Sequence, residues 1–274
     1  MFFKYLKAVG TGPKGNRDLS LDESQDMMQQ ILSGKVHPEN IAAFLLGWRL
    51  KPETIDEFRG ALLALDASSR KYDVPNSIEL GYSFDGKLKT PYLFPLIAKE
   101  LQKSELNLCI LGDSLQPSKN GITTQEICKD SELVSNIFYF DRKEYLPELH
   151  SLTGLRMRSG LRSGLNTLEK LPNITNSQFA ITGVHHKPYV KKYNAIFANR
   201  YERFALIQGS EGSPELFKKG TLWVNEAGIT EEFIVDPEYY GSTSEQDLAK
   251  VNAAILLFIS KKAKSINEAY ELLS

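Results

Sequence analysis

Residues 106–112 run Leu106-Asn107-Leu108-Cys109-Ile110-Leu111-Gly112, a nearly continuous apolar stretch closed by a glycine. It is too short for an ordinary helix and does not alternate. That pattern fits a strand covered on both faces, as in a parallel sheet. Residues 77–81, 136–140, 178–184 and 203–208 repeat the pattern, with helical stretches between them, one of them expected over 91–103. The alternation predicts an α/β fold with a mostly parallel central sheet covered by helices. Residues 221–224 and 231–235 read as an antiparallel addition, and helices at about 244–260 and 266–273 close the chain.

Upstream of this the grammar is helical. Ser20 with Glu23 has capping-box spacing ahead of Met27, Met28, Ile31 and Leu32, and Gly34 stops that helix. Pro38 suits a first turn, and Ile41, Ala42, Leu45, Leu46 and Trp48 give the next helix a wide apolar face. Thr54 with Glu57 repeats the capping box before Ile55, Phe58, Leu62 and Leu65. Three short helices bury too little alone, so they are expected to pack on the rest of the chain or on a second subunit. The expected division is a helical unit, 1–70, and an α/β unit, 71–274. Residues 151–171 are a candidate to pack back on the helices.

The chain has 274 residues, 42% of them apolar, and a formal net charge of −1. The opening residues carry two lysines and no apolar core of a signal peptide, and no apolar run is long enough for a bilayer. Cys109 and Cys128 lack metal or redox spacing and read as reduced thiols, so a cytoplasmic location is expected. Charge is unevenly spread. Residues 151–204 hold nine Lys or Arg and two acids, a balance of +7, whereas the other 220 residues hold 24 bases and 32 acids. A solvated surface is one reading. The other is a phosphate-binding site, because clustered guanidinium and ammonium groups attract phosphates. Arg156, Arg158 and Arg162 stand among Gly154, Gly160 and Gly164, and Lys187, Lys191 and Lys192 follow.

Several motifs match a known family in order. They are Ile41-Ala42-Ala43-Phe44-Leu45-Leu46, Arg49-Leu50-Lys51-Pro52-Glu53-Thr54, Gly160-Leu161-Arg162 with Asn166, Gln208-Gly209-Ser210-Glu211-Gly212, Val235-Asp236-Pro237-Glu238 and Asn252-Ala253-Ala254. Together they resemble the anthranilate phosphoribosyltransferases and pyrimidine nucleoside phosphorylases, glycosyltransferase family 3, over nearly the whole chain. The resemblance implies a helical dimerisation domain, a phosphoribosyl pyrophosphate loop and a Mg²⁺ site.

The chain departs from the family at those last two places. The family's G-T-G-G-D-G loop is here Gly81-Tyr82-Ser83-Phe84-Asp85-Gly86, and its N-x-S-T helix start is Pro91-Tyr92-Leu93-Phe94. Tyr82 and Phe84 are expected to obstruct the backbone approach that glycine permits. The K-H-G-N-R motif becomes Ile110-Leu111-Gly112-Asp113-Ser114, and the metal-holding Asp-Glu pair becomes Pro214-Glu215, leaving Glu215 as a remnant. Gly81, Asp85, Gly86 and Gly112 thus mark a degenerate loop. No metal or cofactor is expected, with Mg²⁺ required only if transferase activity is retained. The opening Val9-Gly10-Thr11-Gly12-Pro13-Lys14-Gly15-Asn16-Arg17-Asp18-Leu19 resembles a divergent branch of the family whose members bind nucleic acid as homodimers.

Three function classes follow. One is a non-catalytic protein that binds nucleic acid or a phosphorylated small ligand through Arg156, Arg158, Arg162, Asn166, Lys187, Lys191 and Lys192. Another is an active transferase with an altered substrate, and the third is a structural paralogue. His185-His186 lacks acidic or Cys partners at ligand spacing, so a metal is not expected there. Asp85 before Gly86 reads as a turn residue or a loop carboxylate near a ligand.

Overall fold

The computed structural model describes residues 2–130, 132–185 and 187–274. Four helices open the chain, α1 (Phe3–Gly10), α2 (Leu21–Leu32), α3 (Pro38–Leu50) and α4 (Ile55–Ser68). Both capping boxes form as their spacing requires, at Ser20/Glu23 and Thr54/Glu57. Glu57 does more than cap: its buried carboxylate also accepts from the Leu19 amide and the Trp48 indole and pairs with Lys51, tying α2, α3 and α4 together. Helix α1 is a fourth member of the bundle, beyond the three read from the sequence. It buries Tyr5, Ala8 and Val9, and Phe2 ahead of it meets Phe44 edge-on at 5.5 Å.

Beyond Tyr72 come β1 (Ser77–Gly81), α5 (Phe94–Glu100), β2 (Asn107–Gly112), α6 (Thr124–Asp130) and β3 (Ile137–Asp141). Four short helices follow, α7 (Arg142–Tyr145), α8 (Pro147–His150), α9 (Thr153–Ser159) and α10 (Leu165–Leu168). The remainder is β4 (Phe179–Gly183), α11 (Pro188–Phe197), β5 (Arg203–Ile207), β6 (Gly220–Glu226), β7 (Ile229–Val235), α12 (Glu245–Ile259) and α13 (Ile266–Leu272). The seven strands form one sheet in the order β3-β2-β1-β4-β5-β6-β7. β1 to β5 run parallel, and β6 and β7 add antiparallel. The helix expected over 91–103 is shorter, because its first turn is held open by a side chain described below. Its end tightens into a 3₁₀ turn at Gln102–Ser104, closed by left-handed Glu105.

One face of the sheet packs on α5, α12 and α13 through Ile78, Leu80, Ile110, Ile181, Ile207 and Leu222. Leu111, Ala180, Phe204 and Leu206 join the opposite core, which continues into Phe44, Trp48, Phe58 and Leu65 of the helical bundle. The bundle therefore finds most of its burial inside this chain, and α9 and α10 pack against α3 and α4. Phe3, Leu46, Leu50 and Leu63 remain exposed on it. No described helix is long and apolar enough to cross a membrane.

Chain order reverses between β1 and β4. The loops leaving β1, β2, β4 and β5 at their carboxyl ends therefore converge on one crevice, where ligands of open α/β sheets bind. The helical bundle forms the crevice's other wall.

Candidate functional site

The loop after β1 turns back at Gly86, whose φ of +76° and closeness to Gly121 leave no place for a side chain. Lys87 and Ile122 exchange backbone hydrogen bonds and pin the turn. Tyr82 and Phe84 are buried rather than raised over the loop, and Tyr82 packs 5.3 Å from Tyr92 and 5.7 Å from Phe94.

Glu215 reaches this loop from the far side and is itself buried. One carboxylate oxygen accepts from the Tyr82 hydroxyl at 2.7 Å and from the amides of Leu93 and Phe94 at 2.7 and 3.0 Å. The other accepts from the Lys87 ammonium at 2.6 Å. This carboxylate satisfies the opening amides of α5 and explains its late start. Glu211, held at φ +54°, fills a second cradle: its carboxylate accepts from the amides of Leu88, Lys89 and Thr90 at 2.9–3.2 Å. Partial burial pushes the Glu211 carboxyl up, but these three donors outweigh it and hold the group below its ordinary value. Two side-chain carboxylates thus sit on successive backbone amides, as a bound phosphate's oxygens do.

The donor set around Glu215 does not fit Mg²⁺. Five N–H or O–H donors, one of them cationic, surround it, whereas Mg²⁺ wants oxygen ligands in octahedral array. Among the described residues no group of three or more His, Cys, Asp or Glu could hold a metal. His186 lies outside the described residues, while His185 lines the crevice beside Gly212.

The loop after β2 is built into the core. Asp113, directly after Gly112, is buried against Arg142 and hydrogen-bonded to His150 Nδ1 at 2.6 Å. Arg142 passes on to Glu169, which Arg156 grips with both terminal nitrogens at 2.7 and 3.1 Å. Burial pushes Glu169 up, yet the two guanidiniums hold it below its usual range. Here the sequence reading is corrected: Arg156 is only 2% exposed and neutralises an internal acid, so it is not an anion contact at the surface.

Other cations of the basic segment are paired too, though not all are buried. Arg162 pairs with buried Asp85 at 2.9 Å, which gives Asp85 a charged partner besides its turn role. That contact is an ion pair by distance but lacks hydrogen-bond alignment, and Arg162 Nε has no protein acceptor. Lys187 pairs with Glu232, Arg200 with Asp66 and Arg203 with Glu226. Apart from Glu169, these acids come from outside residues 151–204. Asn166 is buried, donating to the Pro117 carbonyl and accepting from the Ser163 amide, so it shapes the turn that carries Arg162. Arg158 and Lys191 are exposed.

Between the two layers lies a cleft of about 480 Å³. Arg162, Asn166, Lys170, His185, Tyr189, Lys192 and Tyr193 line it from the α/β side, and Arg49, Glu53 and Phe58 from the bundle. Arg49 donates to the Arg162 carbonyl across the gap, and Lys192 donates to the Glu53 carbonyl at 2.7 Å above the Phe58 ring. Lys170 is the residue the sequence reading did not single out. It is 5% exposed, and burial, with Arg162 beside it, lowers its ammonium to about 7. The signal was present as a lysine beside Glu169, flanked by Leu168 and Leu171, but a charge count could not place it.

Comparison with known proteins agrees with this architecture. The family model described as "Glycosyl transferase family, helical bundle domain" matches residues 4–69. An uncharacterised protein of Aquifex aeolicus is 31% identical over 242 residues, covering 86% of this chain and 77% of its own. An anthranilate phosphoribosyltransferase of Saccharolobus islandicus is 25% identical over 297 residues, covering 93% and 86%. Among solved structures, the anthranilate phosphoribosyltransferase of Thermus thermophilus superposes with a TM-score of 0.75 at 15% identity, covering 94% and 90%. The Saccharomyces cerevisiae enzyme in complex with PRPP and Mg gives 0.74 at 15%, covering 99% and 92%. The chain thus carries a helical bundle domain of the glycosyl transferase family and has the fold of the anthranilate phosphoribosyltransferases.

Proposed function

We propose that this chain binds a small phosphorylated ligand in the cleft between bundle and sheet, and that it does not transfer phosphoribosyl groups from phosphoribosyl pyrophosphate to anthranilate. The observation that carries this reading is the pair Glu211 and Glu215, whose carboxylates take up the backbone amides of residues 88–90 and 93–94. A pyrophosphate approaching those amides meets two negative charges and no room. The cleft beside them stays open, and its cations outnumber its acids. Arg162 keeps a solvent-facing edge for a phosphate, since its side chain is 37% exposed. Phe58, Tyr189 and Tyr193 supply apolar surface for the rest of the ligand.

The test has two arms. A coupled assay with phosphoribosyl pyrophosphate, Mg²⁺ and anthranilate should show no turnover near the ~1 s⁻¹ of ordinary enzymes. Calorimetry with glycerol 3-phosphate should give saturable binding that Arg162→Lys weakens, because lysine keeps the charge but loses the planar fork. Ordinary turnover, or no phosphate-ester binding, defeats the proposal.

Nucleic-acid binding is the second reading, supported by exposed Arg158 and Lys191 and by Lys187, whose partner Glu232 is itself exposed. With about six phosphates engaged per homodimer, a threefold rise in salt should weaken duplex binding by roughly a few hundredfold. The exposed Phe3, Leu46, Leu50 and Leu63 support a homodimer formed through the bundle, with units 1–70 and 71–274 in each chain. The free thiols of Cys109 and Cys128, pushed up to about 11 and about 12 by burial, suit a reducing cytoplasm.

A further inference from the structure

We propose that Lys170 forms a covalent imine with a phosphorylated aldehyde or ketone seated in the cleft. This rests on the reading that the cleft takes a phosphate ester, and it names the ligand's reactive end.

Lys170 lines the cleft yet is nine-tenths buried, with no carboxylate within ion-pair distance among the described residues. Among the described residues its Nζ donates to the Gly183 and Gly212 carbonyls at 3.4 and 3.2 Å, with the Tyr193 ring 5.9 Å away. A structural lysine in such a position would be expected to find an acid, as buried Lys87 and Lys51 do. Charged neighbours face it from several sides. Arg162 and Lys119 repel its ammonium, while Asp85 and Glu169 attract it but are already paired with arginines. With burial, that balance leaves about half of the amine neutral near pH 7, against roughly one part in a few thousand for an ordinary lysine. A desolvated amine beside another cation is the arrangement that makes lysine a nucleophile.

The step balances without a further reagent. The Nζ lone pair adds to the carbonyl carbon, forming a C–N bond and a carbinolamine. The two amine protons then leave with the former carbonyl oxygen as water, giving the imine. Arg162 holds the phosphate meanwhile, which fixes the carbonyl in the cleft.

The experiment is reductive trapping of the full-length protein with glyceraldehyde 3-phosphate and cyanoborohydride at pH 7, read by peptide mass spectrometry. Modification of Lys170 should exceed that of exposed Lys191 by ~tenfold or more, the neutral-amine advantage being partly offset by lower basicity. Excess glycerol 3-phosphate, which has no carbonyl, should suppress it, and Lys170→Met should abolish it. The suppression arm uses the native chain and does not depend on the variant folding. An unmodified Lys170, or labelling spread evenly over surface lysines, overturns the inference. If glycerol 3-phosphate binds by calorimetry while Lys170 stays unlabelled, only the inference fails. If neither occurs, the phosphate-ester reading fails with it.

Discussion

Replacing Glu215 by alanine should destabilise the fold by an amount set by Lys87. In the native chain the Lys87 ammonium is 5% exposed, with Glu215 and the Pro91 carbonyl both at 2.6 Å. Removing the carboxylate leaves a buried cation facing one neutral acceptor, and breaking a buried pair in this way costs about 3–5 kcal/mol. The Leu93 and Phe94 amides and the Tyr82 hydroxyl lose an acceptor as well, although some of that loss is shared. At about 2–4 °C per kcal/mol for a chain of this class, the melting temperature should fall by roughly 10 °C. Thermal unfolding followed by circular dichroism reads it, with urea unfolding for the free energy. Glu215→Gln keeps the shape and one oxygen acceptor and should lose less. The double variant Lys87→Met/Glu215→Leu removes both charges together and should recover part of the loss. A Glu215→Ala protein within ~1 kcal/mol of the parent would refute the idea that this carboxylate holds the loop.

Glu79 is buried on β1, accepting from the Tyr201 hydroxyl at 2.8 Å, and burial raises its carboxyl to about 7. A raised acid means the folded state resists ionisation. Stability should therefore fall as pH rises from the ordinary value of 4.5 to about 7, by on the order of 3 kcal/mol, and level off above. Glu79→Gln should lack that fall, and parallel pH profiles for the two proteins would dismiss the effect. Leu46 and Leu50 lie one turn apart on α3 and are both exposed. Leu50→Glu should convert a micromolar homodimer to monomer by light scattering, and a monomeric parent would remove the dimer.

Periodicity and capping made most of the fold legible. Each strand carried its own apolar run, and Ser20/Glu23 and Thr54/Glu57 each lie within a single helical turn. Local signals sufficed there because the partners are close in sequence. Helix α1 was missed because its buried residues, Tyr5, Ala8 and Val9, look unremarkable until α3 packs on them. The site was less legible for the opposite reason. A +7 segment reads as a surface only while its partners are unknown, and Asp66, Asp85, Glu226 and Glu232 reach it from 23 to 134 residues away. The losses at Tyr82, Phe84 and Pro214 could be read from the sequence. That Glu211 and Glu215 would turn inward onto the amides of residues 88–90 and 93–94 could not, because it depends on the left-handed turn at Glu211 and on the meeting of two loops.

A crystal structure with a phosphate ester such as glycerol 3-phosphate, soaked alongside Mg²⁺ and pyrophosphate, distinguishes an open cleft from a closed loop. The expected result is ester density in the cleft against Arg162, with Glu211 and Glu215 still bound to the amides of residues 88–90 and 93–94. Pyrophosphate and Mg²⁺ on those amides, with the two carboxylates displaced, would contradict it.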